Sequence, residues 1–430
     1  MIFVILPHQL YDVKLLSKYK LYQIVIWEHP HYFTAYNYNK KKLILHRSSM
    51  KYYHDLLVKK KFKVRYIEFK NSFNETDYNL FDPIDKITLP NKYTIIESPN
   101  FLLTKEQYAM YRNKTKNCIF NNFYIWSKKQ LNLYPELKSL DKYNQTRYNK
   151  NISIVDDIPK IGSDDTFYIK EAILYVEKHF PNNYGSSDNF SYPSTHKTAK
   201  KWLKDFLTKR LKTFGTYQDI VIKDTSYLSH SVLSSSINIG LLNPNDIIIE
   251  LHKIKAKIPP NSFEGYLRQL FWREYQRYCY IYVDFNKTNY FGNKKKLSKA
   301  WYDGTLGIEP IDDMIRDGFD KAYIHHIGRL MFIGNYMNLS GIAPMEGFRW
   351  FMEFSIDSYS WVMHQNVLDM VFFVTGGLTM RRPYISSSNY IIQMSSYKKE
   401  EWSEKWDELY HNFIKKHKKK LYKFRYFIRL

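Results

Sequence analysis

The chain has 430 residues, of which 44% are hydrophobic and 18% aromatic, so it carries enough apolar surface for two or three folded domains. The 65 Lys and Arg residues against 42 Asp and Glu give a formal net charge of +23, which suits phosphate backbones, although the bias of an AT-rich genome produces the same surplus. The chain has 2 cysteines, Cys118 and Cys279, which excludes a disulfide framework and any metal site or cluster held by four thiolates.

The N-terminal stretch MIFVILPHQLYDV contains a short apolar run without the flanking signals of a secretory peptide. We interpret it as a buried first strand. No apolar run reaches the length of about 18 residues that a membrane-spanning helix needs, so no membrane segment is predicted. The sequence therefore predicts a soluble protein in a reducing intracellular compartment, either the cytoplasm or the nucleus.

The first part of the chain alternates short runs rich in β-branched and aromatic residues with helical patterns, which is typical of an open α/β sheet. The candidate strands are residues 2–7, 22–28, 63–69 and 92–98, and an amphipathic helix is predicted over residues 48–62. No G-x-G-x-x-G follows the first strand, so the dinucleotide site of that motif is unsupported. We predict an α/β Rossmann-like domain over residues 1–126.

The remainder of the chain divides into a polar region and a helical region. Residues 127–195 are rich in Asn, Asp, Ser, Pro and Gly, and we interpret them as an interdomain connector. Apolar residues then recur at three- and four-residue spacing, which predicts helices over residues 198–214, 263–283, 311–322, 325–339 and 400–420. We predict that residues 196–430 form an all-α domain.

A hydroxyl-rich turn occurs in HSVLSSSINIGLLNP, residues 230–244. Ser231, Ser234 and Ser235 would supply hydroxyl and backbone N–H donors to a phosphate at the start of a helix. A serine-rich helix cap without any ligand explains the same residues. The turn by itself leaves both interpretations open.

Basic and aromatic residues alternate along YLRQLFWREYQRY, residues 266–278. Arg268, Arg273 and Arg277 would contact phosphates while the neighbouring rings stack on flat groups. The alternative is an amphipathic helix whose rings are core residues and whose arginines extend their head groups to water.

These two segments are followed by YIHHIGRL, residues 323–330, and in this order they resemble the photolyase/cryptochrome family. The serine turn is similar to its phosphate loop, LFWREY to its Trp-Arg-Glu-Phe helix, and the His325–His326 segment to its Trp-x-His-His-x-x-Arg helix. Residues 348–362 and 375–395 are similar to signature stretches of the prokaryotic (6-4) photolyase branch.

That prokaryotic branch normally carries an iron–sulfur cluster. At the positions of two of its thiolate ligands this chain has Lys398 and Glu401, and Pro310 and Glu404 stand near the other two. The resemblance therefore implies a member of the branch without an iron–sulfur cluster and with no other metal. The C-terminal helix is then expected to be held by packing.

The resemblance implies the photolyase fold, with FAD bound in a bent form at the centre of the helical domain. Ser231 and Ser234 match positions on the pyrophosphate, and Arg273 matches a position close to the flavin. Hydroxyl and guanidinium donors suit phosphate oxygens. Asn366, in HQNVLDM, is the candidate for a polar contact to the isoalloxazine ring.

The implied substrate is ultraviolet-damaged DNA, in which the linked pyrimidine pair is flipped out of the duplex toward the flavin. Repair of a (6-4) product needs a proton as well as an electron, and histidine is the side chain that donates a proton near neutral pH. His326 matches the position of the acid, and His325 is expected to support it by hydrogen bonding. Leu330 stands where animal (6-4) enzymes have another histidine.

Further aromatic residues match functional positions of the branch. Tyr384 and Tyr390 match residues that border the lesion pocket. Trp350 matches a tryptophan on the electron route from the surface to the flavin, with Tyr302 or Trp301 as the next link. Such residues are also ordinary core choices, so the resemblance alone supports these roles.

The N-terminal domain is implied to be the antenna domain, which in this branch binds a ribityl-lumazine. The segment PHQL, residues 7–10, is similar to Gly-Asp-Gln-Leu of the branch, with Gln9 and Glu28 as candidate contacts. Pro7 and His8 replace the Gly-Asp pair, so a site without an antenna chromophore is the alternative.

The sequence thus predicts a monomeric, light-driven (6-4) photolyase that binds FAD and damaged DNA. One alternative is a cryptochrome-like photoreceptor that binds FAD without repairing DNA. Another is a photolyase for cyclobutane pyrimidine dimers, which needs no proton donor and would leave His326 dispensable.

Overall fold

A computed structural model describes residues 1–116, 118–152 and 155–428 of the chain. Its N-terminal part is built on a parallel sheet of strands β1 (Ile2–Ile5), β2 (Gln23–Trp27), β3 (Lys63–Ile67), β4 (Tyr78–Phe81) and β5 (Tyr93–Ile96), in the order β3-β2-β1-β4-β5. The four predicted strands are confirmed with shorter bounds. Strand β4 was not predicted, because its four residues, YNLF, lie between long polar loops.

Strand β1 lies at the centre of the sheet, where Val4 pairs with Val25 of β2 on one side and Leu80 of β4 on the other. The strand order reverses at β1, and in such sheets the carboxyl ends of the two neighbouring strands border a crevice. The helical half packs over this edge. Asp85, which follows β4, accepts a hydrogen bond of 2.8 Å from the backbone N–H of Trp361.

The helices of this part of the chain are α1 (His31–Thr34), α2 (Lys40–Lys59), α3 (Lys105–Lys114) and α4 (Phe120–Leu131), and a 3-10 turn spans Val13–Tyr19. Helix α2 begins 8 residues before the predicted start at residue 48. Its first residues include consecutive lysines that hide the apolar pattern. Asn39 caps the helix, since its side chain accepts a hydrogen bond from the backbone N–H of Lys41.

The predicted connector over residues 127–195 contains helix α5 (Ser163–His179), which packs along α2, and a 3-10 turn at Asp141–Tyr143. Arg47 of α2 joins the two helices, because its guanidinium pairs with Glu171 of α5 and with Glu28 after β2. The connector is therefore partly folded against the sheet domain rather than a simple link. Residues 153–154 of the connector lie outside the described residues.

The remainder of the described chain is helical, with no named strand. Its helices are α6 (His196–Asp205), α7 (Leu211–Tyr217), α8 (Ser234–Asn238), α9 (Pro244–Ile254), α10 (Pro260–Tyr282), α11 (Ala300–Asp303), α12 (Glu309–Lys321), α13 (Asn335–Leu339), α14 (Pro344–Phe354), α15 (Ser360–Met363), α16 (Ser388–Met394) and α17 (Glu401–Leu421). Short 3-10 turns span Lys255–Lys257 and Tyr422–Phe424, and π-helical segments span Phe206–Arg210, Gly328–Gly334 and His364–Val371. The predicted fold class, a parallel α/β domain followed by a helical one, is confirmed.

Helix α10 joins the two parts of the molecule. The buried carboxylate of Glu274 accepts hydrogen bonds from the backbone N–H groups of Leu102 and Leu103, at 3.0 and 3.1 Å. One turn further on, Arg277 donates to the carboxylate of Asp82, at 2.9 Å, just after β4. Arg277, which was predicted for phosphate contact, is thus buried and structural, and its head group does not extend to water as the alternative interpretation expected.

Helix α17 is held by apolar packing, as expected for a chain without the cluster ligands. Trp402, Trp406 and Phe413 are buried, and the indole N–H of Trp406 donates to the backbone oxygen of Ser386 at 3.0 Å. Glu401 pairs with Lys405 at 2.8 Å on the exposed side of the helix. In the described ranges, none of the helices is long and apolar enough to cross a bilayer.

Candidate functional site

A cavity of about 660 Å³ lies within the helical half of the molecule. Its walls come from the turn before α8, from α10, from the segment that follows α12 and from the residues around α15 and α16. It brings together seven of the predicted site residues, namely Ser231, Ser234, His325, His326, Asn366, Tyr384 and Tyr390. These residues span 160 positions of the sequence and share one space.

The serine turn reaches the cavity through an unusual backbone. Leu228, Ser229 and Val232 have φ angles of 43°, 61° and 54°, a region that β-branched and bulky residues rarely adopt. The carboxylate of Asp156 in the connector accepts from two backbone N–H groups at the start of the turn, including that of Leu228 at 2.8 Å. The turn is therefore held in place by the connector while Ser231 lines the cavity.

A buried ion pair supports the same wall. The guanidinium of Arg329 binds Asp357, with 2.9 Å between Nη1 and Oδ1, and the hydroxyl of Ser234 donates to Asp357 Oδ2 at 2.6 Å. Burial alone would raise the pKa of Asp357, but the charge of Arg329 and the hydrogen bonds of Ser234 and Ser355 hold it below its usual range. At neutral pH Asp357 is thus ionised, and its carboxylate holds Ser234 and Arg329 in the cavity wall.

His326 lies where α12 has ended and the next helical segment begins, and its side chain is 42% exposed. Its Nε2 lies 3.2 Å from Oδ1 of Asp219. Burial tends to raise the pKa of Asp219, but the hydrogen bond and the charge of His326 hold it below its usual range. The arrangement is an imidazole and a carboxylate that open into the cavity, which suits proton transfer.

His325 has a different environment from its neighbour. It is buried and stacks on His230, with ring centroids 4.7 Å apart and an angle of 17° between the planes. Burial lowers the pKa of His325 to about 3 and that of His230 well below its ordinary value, so both rings are neutral. The rings of His325 and His326 are 6.2 Å apart and edge-on, and His326 uses Asp219 rather than His325 as its hydrogen-bond partner.

Tyr384 and Tyr390 line the cavity near Arg382, whose guanidinium carbon lies 5.9 Å from the ring of Tyr384. Burial raises the pKa of both phenols, so each keeps a hydroxyl that donates a hydrogen bond. Asn366 also lines the cavity, and its amide nitrogen donates to the backbone oxygen of Val362 at 3.1 Å.

Arg273 is not part of the cavity wall. Its guanidinium donates to the backbone oxygen of Asn100 at 2.6 Å and to the side-chain oxygen of Asn238 at 3.2 Å, and it lies against the rings of Phe101 and Trp361. Burial lowers the pKa of Arg273 to about 10. The structure therefore uses this arginine between the loop after β5 and the helical half, away from the cavity.

The predicted electron-route residues lie behind one cavity wall. Phe351 lines the cavity, and its ring centroid is 5.2 Å from that of the fully buried Trp350. Phe319 follows at 5.6 Å and the half-buried Tyr302 at a further 5.8 Å. The indole N–H of Trp350 donates to the backbone oxygen of Trp301 at 2.7 Å, so Trp301 holds Trp350 in place.

The two candidate antenna contacts are engaged within the protein. Gln9 accepts from the backbone N–H of Leu6 and donates to the backbone oxygen of Phe81, at 3.1 and 2.7 Å. The carboxylate of Glu28 is surrounded by Arg47, two tyrosine hydroxyls and a backbone N–H. Both candidate contacts thus form hydrogen bonds within the protein, and the oxygen of Gln9 keeps capacity for one further donor.

Among the cavity residues that were not predicted as site residues, three form the contacts described above, namely His230, Asp219 and Asp357. His230 is the first residue of the serine motif, but its contact with His325 is a tertiary one that no local pattern marks. Asp219 lies 107 positions before His326 in an unremarkable loop, and no local pattern marks it.

Comparisons with known proteins agree with this geometry. The family model described as "Deoxyribodipyrimidine photo-lyase-related protein" matches residues 3–89 and 72–192. A protein named "(6-4) photolyase" from Agrobacterium fabrum is 37% identical over 233 residues, which cover 53% of this chain and 46% of that protein. The match thus spans about half the length of this relative.

Two uncharacterized proteins of Acanthamoeba polyphaga mimivirus are 54% and 44% identical over 85 and 108 residues, which cover 20% and 24% of this chain and 69% and 83% of theirs. The crystal structure of a bacterial class III photolyase from Agrobacterium tumefaciens superimposes with a TM-score of 0.56 at 14% identity, over 85% of this chain and 78% of that one, which establishes the fold. The chain therefore has the photolyase fold and is similar in sequence to photolyase-related proteins over part of its length.

Proposed function

We propose that this protein is a light-driven (6-4) photolyase, which reverses pyrimidine–pyrimidone photoproducts in ultraviolet-damaged DNA. The main support is the pair formed by His326 and Asp219, which opens into the same cavity as Ser231 and Ser234. The named (6-4) photolyase among the relatives supports the same substrate class.

The cavity residues fit FAD. A volume of about 660 Å³ lies within the usual range of small-molecule sites. Ser231 offers a hydroxyl donor on one wall, which is suitable chemistry for a pyrophosphate, and Asp357 holds Ser234 and Arg329 beside it. Bound and reduced, the flavin would supply the electron when it absorbs blue light.

His326 would hold and deliver the proton. With Nε2 bound to Asp219, the proton that moves to the lesion is the one on Nδ1. The carboxylate fixes the direction of the ring. His325 is excluded from this role, because burial keeps its ring neutral.

The other polar residues of the cavity would bind the flipped bases. The phenols of Tyr384 and Tyr390 stay protonated and are hydrogen-bond donors to carbonyl oxygens of a pyrimidine. Gln218 and Gln269 lie on the same cavity and offer amide groups of both polarities. Recognition of a base by such groups is the usual way in which a flipped nucleotide is read.

A basic and aromatic surface next to the cavity supports DNA as the partner. The end of α17 and the turn after it present exposed Lys415, Lys416, Lys418, Lys419, Lys420, Lys423 and Arg425. None of them forms an ion pair with an acidic side chain in the described part of the chain. Tyr422, Tyr426 and Phe427 are exposed beside them.

Arg382 connects this basic surface to the cavity. It is exposed, it lines the cavity, and its guanidinium carbon lies 5.4 Å from the ring of Phe427. Lysine and arginine side chains that neutralise phosphates contribute most of the affinity for DNA. A duplex bound along the end of α17 would therefore bring its damaged strand to the cavity.

We also propose residues 196–430 as the catalytic domain and residues 1–126 as the antenna-type domain. The cavity lining supports the first assignment, since all of it except Asp141 comes from residues 214–390. For the second, the parallel sheet supports the domain type only, because Gln9 and Glu28 are engaged within the protein.

The experiment that tests the function uses reduced, FAD-containing protein and two oligonucleotides, one with a (6-4) photoproduct and one with a cyclobutane dimer. Blue light should convert the first. Conversion of the dimer alone would favour dimer repair, in which His326 has no part. Failure with both substrates, with FAD bound and photoreducible, would favour the photoreceptor alternative.

A further inference from the structure

The histidines of the cavity form a group of three. His230, His325 and His326 each offer one ring nitrogen, and these three nitrogens lie within 4.8 Å of one another. In the described part of the chain, this is the group of His, Cys, Asp and Glu residues whose spacing suits a metal ion. The proposed proton donation uses only one of the three.

Two of these histidines are prepared as ligands. Nε2 of His230 and Nδ1 of His325 are buried without a hydrogen-bond partner in the described chain. A buried polar atom without a partner is unfavourable, so a structure that retains two of them side by side calls for an explanation.

His326 differs from the other two histidines in its carboxylate partner and in its exposure. Asp219 holds Nε2 of His326, and a carboxylate on the outer nitrogen of a histidine is the usual arrangement around metal ligands. The ring of His326 is 42% exposed, so it turns without repacking the core. Access is provided by the cavity that all three rings line.

We propose that His230, His325 and His326 form a site for a divalent transition-metal ion of the Zn²⁺ class, with its fourth position open to the cavity. Neutral imidazoles suit Zn²⁺ and its neighbours, whereas Mg²⁺ and Ca²⁺ prefer oxygen ligands. Zn–N bonds of about 2.0–2.1 Å place tetrahedral ligands roughly 3.3 Å apart. The three nitrogens now lie within 4.8 Å of one another, so binding requires a rotation of His326 and a shift of the two stacked rings toward that spacing.

One consequence rests on the proposed function. A metal on Nδ1 of His326 uses the lone pair that the transferable proton needs. The bound ion therefore competes with the proton on Nδ1, and we expect it to inhibit (6-4) repair reversibly. Binding of the ion itself does not depend on what the protein repairs.

Co²⁺ is the probe, because its visible absorption reports coordination number and ligand type. The metal-free full-length protein, with its flavin oxidised, is titrated with Co²⁺, and Zn²⁺ is then added. We expect one equivalent of Co²⁺ with a tetrahedral spectrum, displaced by Zn²⁺ and unaffected by Mg²⁺. His230→Ala and His326→Ala should each weaken binding at least about tenfold, a difference of about 1.4 kcal/mol.

His411→Ala is the matched control, since this histidine is exposed on α17 and far from the cavity wall. His326 is itself exposed, so its variant tests the site even where the buried variant fails to fold. Absence of saturable binding, or equal binding by His326→Ala and the parent protein, would overturn the proposal. The spectra decide this in a protein without repair activity too, so failure of the proposed function is distinguished from failure of the metal site.

Discussion

Nε2 of His326 lies 3.2 Å from Oδ1 of Asp219, a residue 107 positions earlier in the chain. The contact joins the loop after α7 to the first residue of the helical segment that follows α12. His326 thus has a carboxylate partner, whereas the adjacent His325 stacks on the ring of His230. The asymmetry between the two rings is what assigns the proposed acid.

Substitution of the acid should abolish (6-4) repair. His326→Ala removes the group that delivers the proton, and loss of a general acid typically costs about 10²–10⁴ in rate. FAD content and photoreduction should be retained, because the side chain is 42% exposed and outside the serine wall. Single-turnover repair under blue light is the measurement, with His411→Ala as the control. Repair at the parent rate by the variant would remove His326 from the mechanism.

The serine wall should control FAD affinity. Ser231→Ala removes a hydroxyl donor from the cavity, and a hydrogen bond to a charged phosphate is worth about 1.5–3 kcal/mol. Ser234→Ala removes the hydroxyl that donates to Asp357 and so disturbs the same wall. The dissociation constant of FAD, measured by fluorescence on the apoprotein, should rise at least tenfold. Ser236→Ala is the control, because that hydroxyl is buried without a partner in the described chain and lies off the cavity. Equal affinities in all three variants would contradict the placement of the pyrophosphate.

The Asp357–Arg329 pair should make stability sensitive to acid. The pKa of Asp357 is below its usual range in the folded protein, so its contribution is complete above the unfolded value of about 3.9 and is lost as the pH falls through the folded value. Asp357→Asn should lower the free energy of unfolding by about 3–5 kcal/mol at pH 7, because it leaves a buried guanidinium unpaired.

Urea unfolding of both proteins between pH 7 and pH 2 provides the measurement. The difference between parent and variant should shrink as the pH falls below about 3.9, because Asp357 then becomes protonated in the unfolded chain before it does so in the folded protein. A constant difference across the whole range would mean that the ion pair does not carry the acid dependence.

Binding to damaged DNA should depend on the end of α17. Replacing Lys415, Lys416, Lys419 and Lys420 by Gln should weaken binding and reduce the slope of log K against log salt by about 0.9 for each phosphate that the variant no longer neutralises. Lys59 and Lys60, exposed at the end of α2, provide a control pair for the same substitution. An unchanged salt slope in the α17 variant would mean that the positive charge of this helix reflects amino-acid composition and not contact with DNA phosphates.

The aromatic series should govern photoreduction. Trp350→Phe keeps a ring in the core but lowers the capacity for electron transfer at the position between Phe351 and Phe319. The rate of flavin photoreduction should fall, whereas repair by chemically reduced protein should be unchanged. Equal photoreduction rates in the variant and the parent would place the route elsewhere.

Much of the fold could be predicted from local pattern. Strands with continuous apolar runs, such as Ile2–Ile5 and Gln23–Trp27, are buried on both faces of a parallel sheet and are evident in the sequence. Strand β4 and helix α5 were missed, since four residues carry little periodicity and α5 lies in a region of polar composition. Tertiary packing, on β1 and on α2 respectively, determines both elements.

The site was predictable where a motif marks it and not where distant residues meet. The serines, the histidine pair and the two tyrosines come from recognisable motifs, and the cavity brings them together. Asp219 and the partner role of His230 depend on tertiary contacts with no sequence signature. Arg273 is the opposite case. It belongs to a motif, but the motif did not reveal that Asn100 and Asn238 accept hydrogen bonds from its guanidinium.

The most direct test of the proposed repair activity is the comparison of purified, reduced parent protein and His326→Ala on an oligonucleotide with one defined (6-4) photoproduct under blue light. We predict light-dependent recovery of the two pyrimidines by the parent and loss of that recovery in the variant, with FAD retained in both. Recovery by the variant at the parent rate, or no recovery by a parent protein that holds photoreducible FAD, would contradict the proposal.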